Sequence, residues 1–198
     1  EIYDAFRRKE SFATSGPRIK IRFFSGYEFE DSDLKDLNLL ETAYSNNLSM
    51  GSTINIEEGK EPRFFVWAIS DPLGAPLQRV QIIKGWLEDG LHKEKVFDVA
   101  CSDGLSVDPL TNRCPDNKAK VNLTDCAISN DKGDSEIKAF WKDPDFLADQ
   151  EAFYYSRVLE NPVCRWSTWD AIRAGESPRS DISATIQERA WSSPIWFN

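Results

Sequence analysis

Three apolar runs lie between residues 63 and 101, and a turn closes each of them. "RFFVWAIS" (63–70) is apolar nearly throughout and reads as a central strand, and "DPLGAP" (71–76) is a turn cluster of Pro and Gly. "QRVQIIKGW" (78–86) supplies a second strand, and "DGLHKE" (89–94) turns into a third, "KVFDVAC" (95–101). Turns at this spacing fit a meander-like succession of short antiparallel strands. Upstream, "RIKIRFF" (18–24) alternates Ile19, Ile21 and Phe23 against Lys20, Arg22 and Phe24, the period-two mark of a half-buried strand. Downstream, "AKVNLTDCAIS" (119–129), "SEIKAFWK" (135–142) and "AFYYSRVLE" (152–160) are further strand candidates. The tail "ATIQERAWSSPIWF" (184–197) has strand character too, with Pro194 restricting it to an edge or bend.

Two helices are expected. "EIYDAFRRKE" (1–10) carries Ile2, Ala5 and Phe6 at helical spacing but has no capping residue before it. It reads as a helix entered partway, so the chain is expected to be a fragment or processed product of a longer protein. "STWDAIRAG" (167–175) is the internal helix, with Ser167 or Thr168 as cap, Asp170 favouring the first turn and Gly175 as stop. The acidic stretch 28–41 lacks periodicity and is expected to be a surface connection, and 102–118 a polar loop. Seven to nine short strands with so few helices predict a mainly β fold. The expected architecture is an antiparallel immunoglobulin- or fibronectin-like β-sandwich, with an N-terminal helix and one short helix near 167–175. No internal repeat or low-complexity segment interrupts it.

Composition narrows the partners. The 198 residues are 40% apolar and 12% aromatic, with seven Trp, which is a core-forming composition. A net charge of −9 makes phosphate backbones and anionic membranes poor partners, so no nucleic acid is expected to bind. No apolar run approaches the roughly 18–20 residues that a membrane span needs. Glu1 opens a charged rather than a hydrophobic segment, so no signal peptide is expected within these residues.

Four cysteines stand at 101, 114, 126 and 164 without a C-x-x-C pair, and there is a single His. Two disulfides are a better reading than a zinc site, and they place the chain in an oxidising compartment, periplasmic or secreted. Of the three pairings open to four cysteines, Cys101–Cys114 with Cys126–Cys164 is preferred. The first would tie off the polar loop and the second would join two strand ends.

Candidate chemistry is sparse. His92 falls in a turn and no nucleophile-elbow serine accompanies it, so no hydrolytic triad is supported. Asp143, Asp145, Asp149 and Glu151 crowd "KDPDFLADQE" (142–151), a weak calcium candidate in which Pro144 is awkward and the glycine of a helix-loop-helix calcium site is absent. A solvated loop is preferred there. Exposed Trp could stack on sugars, although packing is the simpler role for Trp67 and Trp141. "NLS" (47–49) and "NLT" (122–124) match glycosylation acceptors. Arg157, inside an apolar strand, needs a carboxylate or carbonyl partner, with Glu188 or Asp170 as candidates. Together with Arg165, Gln187 and Arg189 these residues are expected to form a structural polar network or an interdomain contact rather than a catalytic centre.

The segments "ESFATSGPRIKIRFF", "VQIIKGW", "WKDPDF", "AFYYSRVLENPVCRWSTWDAIR" and "TIQERAWSSPIWF" together resemble the C-terminal part of a bacterial domain-of-unknown-function family. The N-terminal part of that family is similar to PHP (polymerase and histidinol phosphatase) metallohydrolases, as in carbaryl-hydrolase-like proteins. The resemblance implies that residues 1–17 are the closing helix and turn of a PHP-like domain, and that residues 18–198 are an appended β-domain. Such metal sites need His-x-His and Asp-x-His elements, and this chain has neither. No catalytic residue carries over, and no cofactor is expected here; a divalent metal would belong to the N-terminal domain alone. The expected function is a non-catalytic accessory β-domain of an exported protein, whose partner is its own N-terminal domain. A carbohydrate-binding module using exposed Trp is the alternative, and an enzyme using paired carboxylates is a third reading.

Overall fold

The computed structural model describes residues 1–30, 34, 38–45 and 48–198. In chain order the elements are α1 (Ile2–Arg7), β1 (Phe12–Thr14), β2 (Lys20–Gly26), α2 (Leu39–Ser45), β3 (Thr53–Ile54), β4 (Arg63–Ile69) and β5 (Leu77–Glu88). Then come β6 (Leu91–Cys101), β7 (Glu136–Lys142), β8 (Ala152–Glu160), β9 (Val163–Cys164), α3 (Trp166–Ala174), β10 (Thr185–Ile186), β11 (Arg189–Ser192) and β12 (Ile195–Phe197). The fold is mainly β, as the strand pattern predicts.

Two antiparallel sheets face each other. The smaller has the order β2–β4–β7, with β4 in the middle. The larger is built on β8, which pairs with β5 along one edge, and β5 pairs in turn with β6. The other edge of β8 is divided: β12 pairs with residues 152–154 and β11 with residues 157–159. Pro194 lies between β11 and β12, where the tail changes direction, in keeping with its lack of a ladder donor. β1 extends β11, and β3 extends β12 as a parallel pair within the otherwise antiparallel sheet. A separate two-stranded ladder, β9–β10, brackets α3.

Side chains from the inner faces make the core. Phe64 stands against Tyr154 at 4.5 Å and Phe197 at 5.8 Å across the sandwich, and against Phe23 at 5.8 Å in its own sheet. Phe65, one residue on, points to the opposite face and packs with Phe24, Phe140 and Phe29 beneath α2. "RFFVWAIS" therefore lacks alternation because both faces of β4 are covered.

Several expectations need correction. β4 and β5 do not form a hairpin: the 71–76 turn carries the chain from the small sheet to the large one. The 89–94 turn shrinks to Asp89–Gly90, both at positive φ (52° and 75°), the twist-matched two-residue hairpin turn, and His92 lies in β6. Residues 119–129 form no strand and make only the bridge Val121–Ile128. α2 begins inside the segment expected to be a plain connection. α3 ends at left-handed Gly175 as expected, but its N-cap position is Arg165, without a side-chain cap, and Asp170 falls beyond the first turn.

Disulfides join Cys101 to Cys114 and Cys126 to Cys164, the preferred pairing. Between β6 and β7 the backbone is organised by side chains: Asp108, Asp116, Asn117, Asn122 and Asp125 each accept the amide two residues on. These Asx turns do locally what a ladder does elsewhere.

Phe64→Ala is expected to lower stability by about 3–5 kcal/mol, as for large-to-small changes in close-packed cores. Urea midpoints, at unchanged slope, measure it. Breaking the Cys126–Cys164 link with a double Cys→Ala change is expected to open the 102–135 segment to proteolysis before the sheets unfold, which limited digestion followed by mass spectrometry reads directly.

Candidate functional site

A cleft of about 780 Å³ opens at the turn end of the β5–β6 hairpin. Its lining includes Trp86, Phe153 and Trp196 together with the acidic residues Glu94, Asp149 and Glu151. Strand register sets one wall. Gly85 pairs with Phe153, and a Cβ at Gly85 would come within 2.3 Å of the Phe153 ring. The glycine lets the ring lie across β5, a close approach that explains a glycine inside a strand.

Beneath the cleft lies a buried ion pair. Lys84 follows Val80 and Ile82 on the inner face of β5, so its ammonium must find acceptors inside the sandwich. Its Nζ donates to Asp143 Oδ2 at 2.8 Å and to the Asp145 carbonyl at 2.7 Å. Asp143 also accepts the Tyr154 hydroxyl at 2.7 Å and the Asp145 amide at 2.9 Å. Burial, and then the neighbouring Asp143 carboxylate, push the Tyr154 hydroxyl far above its ordinary range, so it stays a donor. Asp145 pairs with Lys95. Of the calcium candidates, then, Asp143 and Asp145 serve lysines, and Asp149 lines the cleft. Among the described residues, no group of three or more His, Cys, Asp or Glu is arranged to hold a metal ion.

The outer face of the same sheet carries a second network. Arg157 Nε donates to Gln81 Oε1 at 2.7 Å, and Gln81 Nε2 donates to Asp98 Oδ1 at 2.6 Å. Arg157 thus takes an amide carbonyl, not Glu188 or Asp170. Asp98 is buried, accepts the Cys114 amide at 2.7 Å, and faces Arg79 at 3.9 Å and Arg113 at 3.4 Å. Burial lowers the pKa of Arg79; Asp98 opposes that shift, and the charges of Arg113, Arg157 and Arg189 add to it. Arg189 lies over the Trp191 ring, and its Nε donates to the Gln187 carbonyl.

Of the remaining expected network residues, Gln187 and Glu188 continue the same system of contacts, while Arg165 and Asp170 lie at α3. Gln187 donates to Gln78 and to the Glu160 carbonyl, joining amides that run through Asn117 to Asn161. Glu188 accepts the Ser15 hydroxyl. Arg165 and Asp170 sit on and before α3, and Asp170 is exposed. Arg79 donates to Gln78 and faces Asp98, so Arg157, Gln187 and Arg189 belong to one connected polar network, which Glu188 joins through Ser15.

Over residues 1–198 the sequence matches the model of a family described as "Protein of unknown function (DUF3604)". The chain belongs to that family. No curated protein and no solved structure matches it.

In this DUF3604 chain the tryptophans divide by environment. Trp67 lies on the small sheet between Arg22 and Lys138 and donates to Glu136, and Trp141 packs on Phe64 and Phe97 in the core. Trp169 is covered by Arg173, while Trp166 is 74% exposed. Among the described residues no two Trp rings stack on each other. Asn122 of "NLT" is exposed; Asn47 of "NLS" lies outside the described residues. Sequence reasoning missed Lys84, Gln81 and Asp98. The available signal was alternation: Lys84 shares a face with Ile82, and a core-facing lysine requires a partner elsewhere.

Glu160 ends β8 beneath the 71–75 turn, where the Ala75 amide donates to it while its Oε1 has no partner among the described residues. Burial pushes its pKa from the ordinary 4.5 up to about 7, and Asp71 and Glu188 add to the shift. Because the folded pKa lies above the unfolded one, the folded state holds the extra proton between those values. Stability should therefore fall as pH rises from about 4.5 to about 7, by about 3 kcal/mol in total, and Glu160→Gln should remove that slope. Denaturant titrations of both proteins across this window check it. Separately, Lys84→Met should cost about 3–5 kcal/mol by stranding Asp143, and adding Asp143→Asn should recover at least half of the loss. Urea unfolding of the single and double variants decides.

Proposed function

We propose that the chain is a non-catalytic accessory β-domain of an exported, PHP-like metallohydrolase-related protein, and that it packs on the catalytic domain through α1. The observation that carries this reading is the exposure of α1. Ile2, Tyr3 and Phe6 are 78%, 69% and 68% exposed, and no residue of the helix is buried. A helix with its apolar side chains uncovered is a surface awaiting a partner. Its far end is nonetheless anchored. A Cβ at Gly51 would come within 2.3 Å of the Arg8 carbonyl, and β1 continues from α1 into the large sheet. The apolar stripe is thus held at a fixed place beside the sandwich, as a docking element would be.

The ionisable groups support a structural role. Lys84, Asp143, Arg157 and Asp98 are committed to one another or to neighbouring amides. Glu160, with its raised pKa, lies at the end of β8 opposite the cleft carboxylates, so the two do not form an acid pair. The divalent metal that the resemblance implies would be held by the partner domain. Two disulfides agree with an exported protein, and among the described residues no helix is long and apolar enough to cross a membrane.

Expressing these 198 residues alone, and the natural gene product that contains them, tests the reading through bound divalent metal and phosphoester or ester hydrolysis. Metal and turnover are expected only in the natural gene product. Metal-dependent turnover by the 198 residues alone overturns the proposal. A double change, Ile2→Ser with Phe6→Ser, should leave the melting of the isolated chain within about 0.5 kcal/mol, as for exposed sites, while destabilising the natural gene product.

A further inference from the structure

We infer that the arginine cluster on the outer face of the large sheet, formed by Arg79, Arg113, Arg157 and Arg189, binds an acidic segment of another protein. This goes beyond the docking role and does not rest on it. α1 precedes the Phe12 end of β1, whereas the cluster lies past the other end, where the Ser15 amide donates to the Arg189 carbonyl. Register builds the cluster. Gln81, Arg157 and Trp191 stand side by side across β5, β8 and β11, and the next rung of the same face holds Arg79, Leu159 and Arg189. Arg113 is brought in by the loop after β6, because the Asp98 amide donates to the Asn112 carbonyl and the Cys101–Cys114 bond fixes the following residue.

Positive charge is in excess here. Asp98 is the carboxylate at the centre, and its oxygens already accept the Gln81 side chain and the Cys114 amide. The charge of Arg79 also reaches Asp116, but that carboxylate is paired with Lys118 at 3.2 Å, and Glu188 is taken by Ser15. Arg113, Arg157 and Arg189 all lie close enough to repel Arg79. Like charges gathered with too few counter-ions are costly to a fold and useful to a binding face. Donors are also left over. Arg157 Nε is held by Gln81 at 2.7 Å and Arg189 Nε by the Gln187 carbonyl at 3.1 Å, while among the described residues the Nη atoms of both have no hydrogen-bond partner. Holding Nε presets the planar fork that a carboxylate accepts, so less ordering remains to be done on binding. Neighbouring groups select the partner. Tyr155 and Trp191 flank Arg157 on the same face, and Arg189 lies 6.0 Å from the Trp191 centroid. Arginine beside Tyr and Trp is the composition of protein interfaces. Beyond Tyr155 the same face carries Glu94, opposite Gly85. A long polyanion such as a nucleic acid meets that repulsion, and a short acidic segment avoids it.

Arginine Nε–H and Trp indole resonances of the 198-residue chain read binding directly. The probe is acetyl-tetraglutamyl amide, whose extended span of about 13 Å is comparable with the distance of about 10 Å across β5, β8 and β11. Inorganic phosphate, deca-thymidylate and acetyl-tetralysyl amide are the comparisons, all at equal ionic strength. The glutamyl peptide is expected to shift Arg157, Arg189 and Trp191 and to leave Arg179 and Trp67 unmoved. Arg189→Gln should raise its Kd at least about fivefold, and Arg179→Gln should leave it unchanged. If the Arg189 variant does not fold, Arg113→Gln, at an exposed position, should weaken binding severalfold. The inference is overturned if the glutamyl peptide shifts neither Arg157 nor Arg189 at about 10 mM, a concentration that detects even millimolar affinity. It is also overturned if phosphate, the oligonucleotide or the lysyl peptide binds as tightly, or if the folded Arg189 and Arg113 variants bind as tightly as the wild type.

Discussion

From Ala152 to Glu160 the backbone of β8 is shared between β5 on one edge and β12, then β11, on the other. With both edges occupied, its side chains alternate strictly between the sandwich interior and the outer face. A slip of one residue would exchange them all. Tyr154 would then leave Phe64 and Phe197, and its hydroxyl would leave Asp143. Asp143 also holds Lys84 of β5, so the buried ion pair links the register of β5 to that of β8 through one carboxylate. A wrong register would strand charges in an apolar interior. Polar groups thus act here against alternative pairings, while the rings around them supply the cohesion.

The span between β6 and β7 is organised by different means. It contributes little to the core and has no ladder, so several of its amides are satisfied by Asx turns and its middle is held by two disulfides, at Cys114 and Cys126. One bond fastens it to the end of β6 and the other to β9. It is also tied to the sheet through polar atoms: the Cys114 amide reaches Asp98, and Asn117 reaches Gln78 and Asn161. Those contacts place a polar loop over the outer-face network, which keeps Asp98 buried without an apolar lid.

How much of this was legible in the sequence depends on how local the cause is. The strands β2, β4, β5, β7 and β8 follow from alternation or unbroken apolar runs, and the end of α3 follows from Gly175, because each signal is complete within a few residues. "AKVNLTDCAIS" looks like a strand by composition, yet Asn122 and Asp125 compete for the backbone, and among the described residues the segment bridges only to itself. The sheet-crossing at 71–76 was illegible, since a Pro–Gly turn serves a hairpin and a crossover equally well. Candidate-site residues were the least legible. Arg157 announced its need for a partner, but the partner, Gln81, is chosen by register 76 residues away. The cleft required Gly85 to sit opposite Phe153, a fact of pairing rather than of either segment.

Register also distributes charge across the outer face of the large sheet. Along the β5–β8 pair, one end brings Glu94, Asp149 and Glu151 around the cleft, and the other gathers Arg79, Arg113, Arg157 and Arg189 about the single buried carboxylate of Asp98. A chain of net charge −9 thus keeps a local excess of positive charge on one part of its surface. The loss of hydration that lowers the pKa of Arg79 also weakens solvent screening around it, which strengthens its attraction to Asp98.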